Sequence, residues 1–372
     1  MRIGIDATAL PLLQFGAANY IVNLIRALLQ VDTANEYVIF VKPLHAALFD
    51  SAGRAQIEGV HLPSRLHRVA WEQLALPKLA TRQRLDVLHC PHYTMPFRST
   101  CPTVVTFHDM TFFLFPELHK ADKVFFFRSM ISLSATRAGA IIADSESTRQ
   151  DILRIIKIHS ARVSAVPLGV APHFQPANDR DAIARIRAKY HLPEKIILNT
   201  GVLEPRKNLP MLVRAFRALV DRGLPHTLVL IGDKGWKYGE LFRAIETLAL
   251  TARVILTGYV PEDDLALIYN AADLFVYPSL YEGFGLPILE AMACGVPVIT
   301  SNIASMPEIA GDAGIFVTPT DADALANAMA RALTDPDLRA QKRQDGLERA
   351  RQFPWTRTAR ETLAVYERAA KK

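Results

Sequence analysis

The chain has 372 residues, of which half are hydrophobic and 22% are charged, and its formal net charge is +6. This length predicts two domains, and the composition excludes an intrinsically disordered chain. The chain has no block of like charge, which would have predicted a nucleic-acid partner. Its modest positive charge is compatible with acidic ligands or an anionic membrane surface.

The cysteines and the N-terminus predict a location. Cys90, Cys101 and Cys294 fit neither a zinc pattern nor a disulfide framework, which favours a reducing, cytoplasmic compartment. Residues 1–6 have the pattern of a strand rather than of a signal peptide. No apolar stretch reaches eighteen residues, so we expect no membrane-spanning segment.

Short apolar segments alternate with helical patterns through the first half of the chain. After the first strand, Ile21, Leu24, Ile25, Leu28 and Leu29 share one face of an amphipathic helix. The strands predicted in this half are 3–6, 37–41, 86–89, 103–107 and 140–143.

Two prolines and a glycine in residues 166–172 predict a linker, after which the alternation begins again. The expected domains are therefore 1–170 and 171–352, followed by a last amphipathic helix in 353–372. Alternating strands and helices predict two doubly wound α/β domains with parallel sheets and a cleft between them. The strands predicted in the second half are 195–199, 227–231, 254–257, 274–277, 298–300 and 314–317.

Glu282 and Glu290, with seven residues between them, bracket a Gly-Phe-Gly loop between a buried strand and a helix. Pro287 suits the first turn of that helix. The loop lies at the carboxyl end of a strand, where open α/β sheets bind ligands. Glycine-loop amides and a helix N-terminus suit an anion, and carboxylates suit sugar hydroxyls, so this segment predicts a nucleotide-sugar site. A dinucleotide fingerprint is excluded because Ile288 occupies the place of its third glycine.

A second polar segment, 204–208, follows another predicted strand and the turn at Gly201. Asn208 is predicted to cap the next helix, and Pro210 fits its first turn. Arg206 and Lys207 would then lie at a positive helix end, where two cations can hold a diphosphate and stabilise its departure. The simpler alternative is a solvated Arg-Lys pair.

These motifs together resemble the retaining glycosyltransferases of family four, which have the GT-B fold. The resemblance covers nearly the whole chain and is strongest for a subgroup of mannosyl- and rhamnosyltransferases that build bacterial surface polysaccharides. It implies two Rossmann-like domains facing across a cleft, with the C-terminal helix crossing back to the first domain. The segments that carry it are 201–208, 231–236, 257–260, 278–290 and 107–109, with Gly16 ahead of the first helix.

The resemblance also implies roles for individual residues. Glu282 would bind hydroxyls of the donor sugar, Arg206 and Lys207 would neutralise its diphosphate, and His108 would face the reacting sugar. These four form the expected catalytic set. The other residues expected to bind the donor are Gly16, Asp109, Gly201, Asn208, Gly232, Tyr259, Gly283, Phe284, Gly285, Leu286 and Glu290.

Within that second set, Glu290 would hold the ribose and Tyr259 would line the base pocket. Backbone amides of the Gly-Phe-Gly loop would lie beside the sugar, and Gly16 would let the backbone approach the diphosphate from the first domain. Ala18 stands where the family often has a second glycine. Two alternatives stay open: His108 as a hydrogen-bonded residue at a strand end, and Asp109 either orienting His108 or capping a turn.

Two further segments have competing interpretations. Asp321 and Asp323 have the Asp-x-Asp form that holds metal in other glycosyltransferases, but acids in a first helical turn are typical caps, and we expect no metal cofactor. Seven of the eighteen phenylalanines lie between Phe107 and Phe127, with cations among them. They either pack the core of the first domain or contact an anionic membrane and a lipid-diphosphate carrier.

The expected reaction is therefore retaining transfer of a hexosyl unit to a saccharide or lipid-linked saccharide. GDP-mannose is the first choice of donor, ahead of dTDP-rhamnose or a UDP-sugar. No paired-carboxylate arrangement for double displacement is apparent, so we expect the departing phosphate to take the acceptor's proton on the same face. Alternatives are an epimerase or phosphorylase of the same fold and a non-catalytic two-domain binding protein. Neither a pyridoxal nor a phosphate-pocket signature supports a phosphorylase, and the lack of a signal peptide disfavours a solute-binding protein.

Overall fold

The computed structural model of the chain describes residues 1–11, 16–49 and 54–371. It contains two compact units. The N-terminal unit comprises Met1–Gly169 together with Pro354–Lys372, and the C-terminal unit comprises Val170–Phe353. The last helix therefore belongs to the N-terminal unit. Among the described residues, no helix is both long and apolar enough to cross a lipid bilayer.

The N-terminal unit is built on a parallel sheet with the strand order β3-β2-β1-β4-β5-β6-β7 among the residues described. Its central strands are buried and mostly apolar, as both faces of a parallel sheet are covered by helices. The strands are β1 Arg2–Asp6, β2 Glu36–Val41, β3 Ala55–Gly59, β4 Val87–Cys90, β5 Thr103–Phe107, β6 Ala140–Ala143 and β7 Val163–Ala165.

Helices cover this sheet, and the first of them buries its predicted apolar face, including Leu24 and Leu28. Side-chain caps begin two others, where Ser64 and Ser145 accept hydrogen bonds from first-turn amides. The helices are α1 Ala17–Val31, α2 Arg65–Leu74, α3 Leu76–Arg82, α4 Thr111–Leu114, α5 Ala121–Arg137 and α6 Glu146–Ile156.

The C-terminal unit repeats the plan with the parallel order β10-β9-β8-β11-β12-β13 among its described strands. The first and fourth strands, β8 and β11, are neighbours, so the strand order reverses between them. The strands are β8 Ile196–Thr200, β9 Thr227–Ile231, β10 Val254–Gly258, β11 Leu274–Tyr277, β12 Val298–Ser301 and β13 Ile315–Val317.

Prolines in the first turn begin several helices of this unit, including those at Leu209 and Leu286, as the sequence predicted. The helices are α7 Arg180–Lys189, α8 Leu209–Asp221, α9 Gly239–Thr247, α10 Glu262–Ala271, α11 Leu286–Ala293, α12 Met306–Ala310, α13 Ala322–Thr334 and α14 Pro336–Ala350.

The last helix, α15 Trp355–Ala370, packs against α1 of the N-terminal unit. A buried polar chain fixes it there. The Tyr366 hydroxyl lies 2.7 Å from His89 Nδ1, and His89 Nε2 lies 2.8 Å from the Thr106 hydroxyl. Tyr20 of α1 completes the chain, with its hydroxyl 3.0 Å from that of Thr106. This network joins both helices to the central strands.

The predicted strands are confirmed, each within one residue at either end. Strands β3 and β7, the two edge strands of the N-terminal sheet, were not predicted from the sequence. Both are short and only partly buried, so they lack the continuous apolar run that marks the central strands.

Candidate active site

The carboxyl ends of β8 and β11 lie side by side in the C-terminal unit, and the two predicted polar segments follow them. Backbone and side-chain contacts hold these loops together. The Leu280 amide donates to the Arg206 carbonyl at 2.8 Å. The Asn208 amide group donates to the carbonyls of Pro278 (3.2 Å) and Pro319 (2.7 Å). The topological switch point of this sheet is thus a fixed platform.

The predicted capping role of Asn208 is wrong in its mechanism. Asn208 occupies the N-cap position of α8, but its backbone is left-handed, with φ of 56°, and its side chain makes no cap hydrogen bond. The amide group is used instead to join the two loops, because a left-handed Asn turns its side chain away from the first-turn amides of the helix.

Four charged side chains meet on this platform, and we call Glu204, Arg206, Lys207 and Glu282 the charge quartet. Glu282 Oε1 lies 2.8 Å from Lys207 Nζ, and its Oε2 lies 2.5 Å from Arg206 Nη1. Arg206 Nη2 lies 2.7 Å from Glu204 Oε1. The quartet carries two positive and two negative groups and links the loop after β8 to the loop after β11.

Burial makes these pairings strong. Glu282 is only 6% exposed. Burial alone would raise its pKa, but Arg206 and Lys207 outweigh that effect and hold the pKa at about 2. Burial lowers the pKa of Lys207, although Glu282 opposes that shift. The ammonium group of Lys207 also donates to the Tyr277 hydroxyl at 2.5 Å.

Glycines at the strand ends make room for the quartet. Gly201 and Gly232 have φ of +132° and +142°, values that side-chain-bearing residues rarely adopt. A Cβ at Gly232 would lie 2.1 Å from the Gly201 carbonyl oxygen, and one at Gly201 would lie 3.1 Å from Lys207 Cε. Both glycines therefore support the platform by allowing close packing at the edge of the sheet.

Hydrogen bonds from Ser305 hold the Gly-Phe-Gly loop, residues 283–285. The Ser305 hydroxyl lies within hydrogen-bond distance of the carbonyl oxygens of Glu282 (2.8 Å) and Phe284 (2.7 Å). Phe284 itself is buried, and Gly285, with φ of +104°, is the N-cap of α11. Leu286 begins α11, so the first-turn amides of this helix lie directly after the loop, as an anion site requires.

Glu290 lies in a different environment, one turn into α11. It is 8% exposed, and its hydrogen-bond donor is the Tyr269 hydroxyl, at 3.0 Å. The Tyr269 hydroxyl also lies 2.9 Å from that of Thr200, at the end of β8. Burial raises the pKa of Glu290 to about 7, since Tyr269 offsets only part of the desolvation.

Tyr259 directly follows β10 and thus lies at the same edge of the C-terminal sheet. Burial, and then the charges of Glu262 and Asp233, raise its pKa. The strand ends therefore present, in order across the sheet, an aromatic ring beside acids, then glycines, then the charge quartet.

In the N-terminal unit, His108 follows β5 and is held through both ring nitrogens. Nδ1 lies 2.8 Å from Asp144 Oδ2, and Nε2 lies 2.9 Å from the Pro91 carbonyl oxygen. Tyr20 packs against the ring edge-on, with centroids 5.1 Å apart. Burial opposes the charged form of His108, but Asp144 outweighs it and raises the pKa.

Asp109 has the capping role that the sequence left open. Its Oδ1 accepts hydrogen bonds from the Thr111 amide (3.0 Å) and hydroxyl (2.7 Å) at the start of α4. The carboxylate in contact with His108 is that of Asp144, which was not predicted from the sequence. Its position directly after a predicted strand, at the same sheet edge as His108, was the available signal.

Gly16 precedes α1 with φ of +48°, and a Cβ there would meet no atom within 4 Å among the described residues. Ala18, the departure from the family pattern, is 2% exposed within α1. Its methyl group is therefore part of the interior rather than of an open surface.

The phenylalanine-rich segment is mostly core. Phe107, Phe112 and Phe127 are buried in the hydrophobic core of the N-terminal unit, and Phe126 packs against it. Phe125, by contrast, is 78% exposed. The core interpretation is therefore confirmed for Phe107, Phe112 and Phe127. The membrane interpretation stays a prediction for the exposed Phe125.

Asp321 caps α13, accepting a hydrogen bond from the Ala324 amide at 2.8 Å, which confirms the capping interpretation. In the part of the chain that the structure describes, no group of three or more His, Cys, Asp or Glu side chains is arranged to hold a metal ion. Cys90, Cys101 and Cys294 are free thiols.

Comparison with known proteins identifies relatives of both units. A family described as glycosyltransferase family 4 matches residues 16–174, and one described as glycosyl transferases group 1 matches residues 182–349. O-antigen chain mannosyltransferase B of Escherichia coli is 35% identical over 283 residues, which are 76% of this chain and 74% of that protein. The serotype-specific mannosyltransferase WbdA of Escherichia coli is 32% identical over 75% of this chain, but only 34% of WbdA is covered.

A solved structure supports the fold. The Anabaena protein HepE, in complex with UDP-glucose, superimposes with a TM-score of 0.78 and 21% identity, covering 98% of this chain and 99% of that one. At this identity the likeness shows the fold alone, which is GT-B with two Rossmann-like domains.

Proposed function

The chain belongs to the group 1 glycosyltransferases of family 4, and from that premise we propose that it is a retaining mannosyltransferase using GDP-mannose. The acceptor would be a saccharide or lipid-linked saccharide of a surface polysaccharide. The observation that carries the proposal is the charge quartet at the switch point of the C-terminal sheet. The choice of mannose rests on the relatives, which are named as mannosyltransferases.

The quartet is suited to a sugar diphosphate. Arg206 and Lys207 are the cations, and the first-turn amides of α11 lie directly after the adjoining loop. Because the two carboxylates already neutralise these cations, a diphosphate must compete for them. Sugar hydroxyls would then donate to the Glu282 oxygens that the cations release, so both halves of the donor are needed to replace the resting contacts.

The reaction follows from this arrangement. The bond between the anomeric carbon and the diphosphate oxygen breaks while the acceptor oxygen forms its bond on the same face. The acceptor's proton goes to the departing phosphate, and Arg206 and Lys207 stabilise the charge that develops there. This route needs no metal ion, and we propose that the enzyme is metal-independent.

Glu290 and Tyr259 would hold the nucleoside. A carboxyl group with a pKa near 7 can both donate and accept hydrogen bonds at neutral pH, which suits the two hydroxyls of a ribose. The half-buried ring of Tyr259 offers a surface on which a base can stack.

A donor panel tests the proposal. The full chain would be incubated with labelled GDP-mannose, dTDP-rhamnose or UDP-glucose and a mannose-terminated oligosaccharide. We expect transfer from GDP-mannose, with the new linkage keeping the α configuration of the donor by proton NMR. A changed donor sugar formed without an acceptor would instead establish an epimerase, and binding without nucleotide release would establish a non-catalytic protein.

We also propose peripheral contact with an anionic membrane, which would bring a lipid-diphosphate-linked acceptor to the N-terminal unit at the inner face of the cytoplasmic membrane. Exposed Phe125 lines a groove of about 340 Å³ together with Val124 and Arg128. An apolar ring beside a cation suits the boundary between headgroups and acyl chains.

Sedimentation with liposomes tests this contact. Vesicles containing phosphatidylglycerol should carry the wild-type chain down and carry less of Phe125→Asp. Leu44→Asp is the matched control, since Leu44 is a 59% exposed apolar residue outside the groove. Equal sedimentation of both variants, or none of the wild type, would contradict the proposal.

A further inference from the structure

His108 and Asp144 form a buried ion pair at the carboxyl ends of β5 and β6. Their side chains are only 12% and 4% exposed. The ring faces an acceptor at each nitrogen, because Nδ1 meets Asp144 Oδ2 and Nε2 meets the Pro91 carbonyl oxygen. The second carboxylate oxygen, Oδ1, is buried and has no hydrogen-bond partner among the described residues.

This geometry favours a ring that is protonated on both nitrogens. A neutral imidazole carries one N–H, so either tautomer would turn a nitrogen lone pair toward an acceptor oxygen. A backbone carbonyl cannot donate, and a proton shared between a carboxylate and an imidazole resides on the more basic imidazole. Both contacts are satisfied together only when both nitrogens carry hydrogen, that is, when His108 is an imidazolium.

Three aromatic side chains among the described residues pack around the His108 ring. They are Tyr20, His92 and Tyr93, with ring centroids 5.1, 5.7 and 5.5 Å away. Burial and the charge of His108 lower the pKa values of His92 and His89 to about 3, so both are neutral.

Asp109 adds its negative charge to that of Asp144 in favouring the protonated ring. Its carboxylate is, however, bound to Thr111. Asp144 is therefore the carboxylate in direct contact with the ring.

We propose that Asp144 is a positioning residue that holds His108 as a fixed imidazolium during glycosyl transfer. His108 then serves the reaction as a cation and hydrogen-bonded support, not as the base that accepts the acceptor's proton. This inference rests on the proposed function, and it agrees with proton transfer to the departing phosphate. It assigns a role to a residue that no sequence motif singled out.

The protonation state can be read directly and without activity. The full wild-type chain, labelled with ¹⁵N in histidine, would be studied by proton–nitrogen correlation NMR at pH 7.5, with the His108 signals assigned from their loss in His108→Gln. We expect both ring nitrogens of His108 to carry hydrogen. An unprotonated nitrogen at this pH would overturn the proposal, even if no donor substrate had been found.

A charge-removing variant tests the consequence for transfer. Asp144→Asn keeps the shape of the side chain but removes the charge that favours the imidazolium. We expect the transfer rate of Asp144→Asn to fall about tenfold at pH 8 and to return toward the wild-type rate at pH 6, where the ring regains its proton. Asp221→Asn, at an exposed pair in the other unit, is the matched control and should keep the wild-type pH profile.

A loss that is equal at pH 6 and pH 8 would show a merely structural role and overturn the proposal, as would an unchanged rate at pH 8. Thermal melting shows whether the Asp144→Asn variant is folded. If the variant is unfolded, the NMR measurement on the wild-type chain decides whether His108 is an imidazolium. Absence of transfer by the wild type with every donor would count against the proposed function rather than against the state of His108.

Discussion

Glu282 and Glu290 are equally buried, eight positions apart, yet they lie in opposite environments. Glu282 is in contact with two cations and has a pKa of about 2, whereas Glu290 has one hydroxyl donor and a pKa of about 7. The difference arises because desolvation acts on both and is outweighed only where Arg206 and Lys207 are present. Glutamate thus provides a permanently charged carboxylate in the loop and, in the helix, a carboxyl group whose pKa is about 7.

We propose that this contrast distinguishes the residues that bind the two ends of a nucleotide-sugar. An anion that already holds two cations belongs beside the diphosphate and the sugar, where charge changes during the reaction. A carboxyl that titrates near pH 7 belongs beside hydroxyl groups of constant charge. Environments that separate the pKa values of paired carboxyls commonly separate their roles.

Removing one of the two cations that contact Glu282 should have the largest effect on the rate of transfer. We expect Lys207→Ala to lower kcat about 10²–10³-fold, because loss of one preorganised donor from an anion site typically costs about 3–4 kcal/mol of transition-state stabilisation. Steady-state kinetics with GDP-mannose measures this. Lys195→Ala is the matched control, since Lys195 forms a half-exposed pair with Asp273 just before β8, away from its carboxyl end.

Thermal melting must accompany that measurement, because Lys207 is buried against Glu282 and its loss also weakens the fold. A folded Lys207→Ala with undiminished kcat would remove Lys207 from the mechanism.

Neutralising Glu290 should change the pH dependence of stability. Burial raises its pKa from 4.5 to about 7, so between these pH values the folded state binds more protons than the unfolded state. The free energy of unfolding attributable to this group therefore falls as pH rises through that interval. We expect Glu290→Gln to raise the free energy of unfolding by up to about 3 kcal/mol at pH 8 and to leave it unchanged at pH 4.

Glu282→Gln should behave in the opposite way. The depressed pKa of Glu282 contributes stability above pH 4.5 that is lost as pH falls through about 2. We expect this variant to be destabilised at pH 8. Urea unfolding of both variants at the two pH values makes the comparison, and equal behaviour of the two would contradict the contrast between the carboxyls.

Removing the donor to Glu290 should have a smaller effect. Tyr269→Phe leaves Glu290 and Thr200 without the hydroxyl that joins them, and we expect it to lower the free energy of unfolding by about 1–3 kcal/mol. The pKa of Glu290 should rise further, because the hydrogen bond from Tyr269 lowers it. Tyr238→Phe, at a 37% exposed ring, is the control and should change neither quantity.

Asp321 has an exposed carboxylate, in contrast to the buried carboxyl groups of Glu282 and Glu290. We expect Asp321→Ala to cost about 0.5–2 kcal/mol of stability through loss of the cap on α13. Transfer should be unaffected, in this variant and in wild type with excess EDTA. Asp323→Ala, which removes an acid from the same turn but no cap hydrogen bond, should cost less. Activity abolished by EDTA and restored by Mn²⁺ would contradict metal independence.

The sequence predicted the C-terminal unit well because its signals are local. Each central strand contains a short apolar run, and the charges of the quartet lie in two short segments that follow such strands. Parallel strands in a doubly wound order place those segments at one edge, so adjacency could be inferred from topology. The pairing of Arg206 with both Glu204 and Glu282 could not be inferred from the topology, because it depends on side-chain conformations within the loops.

The N-terminal unit was harder because its decisive contact is between distant residues. Asp144 lies 36 positions from His108, and no motif links them. Proximity in the sequence pointed to Asp109 instead, but the carboxylate of Asp109 accepts a hydrogen bond from the Thr111 hydroxyl. The edge strand β3 escaped prediction for a related reason, since partial burial leaves no strong apolar pattern in so short a segment.

A crystal structure of the chain with GDP-mannose would show directly whether the charge quartet binds the donor. We expect diphosphate oxygens within about 3 Å of Arg206 or Lys207 nitrogens, with mannose hydroxyls on Glu282 and ribose hydroxyls on Glu290. A nucleotide bound away from the carboxyl ends of β8 and β11, with the charge quartet still in its resting contacts, would contradict it.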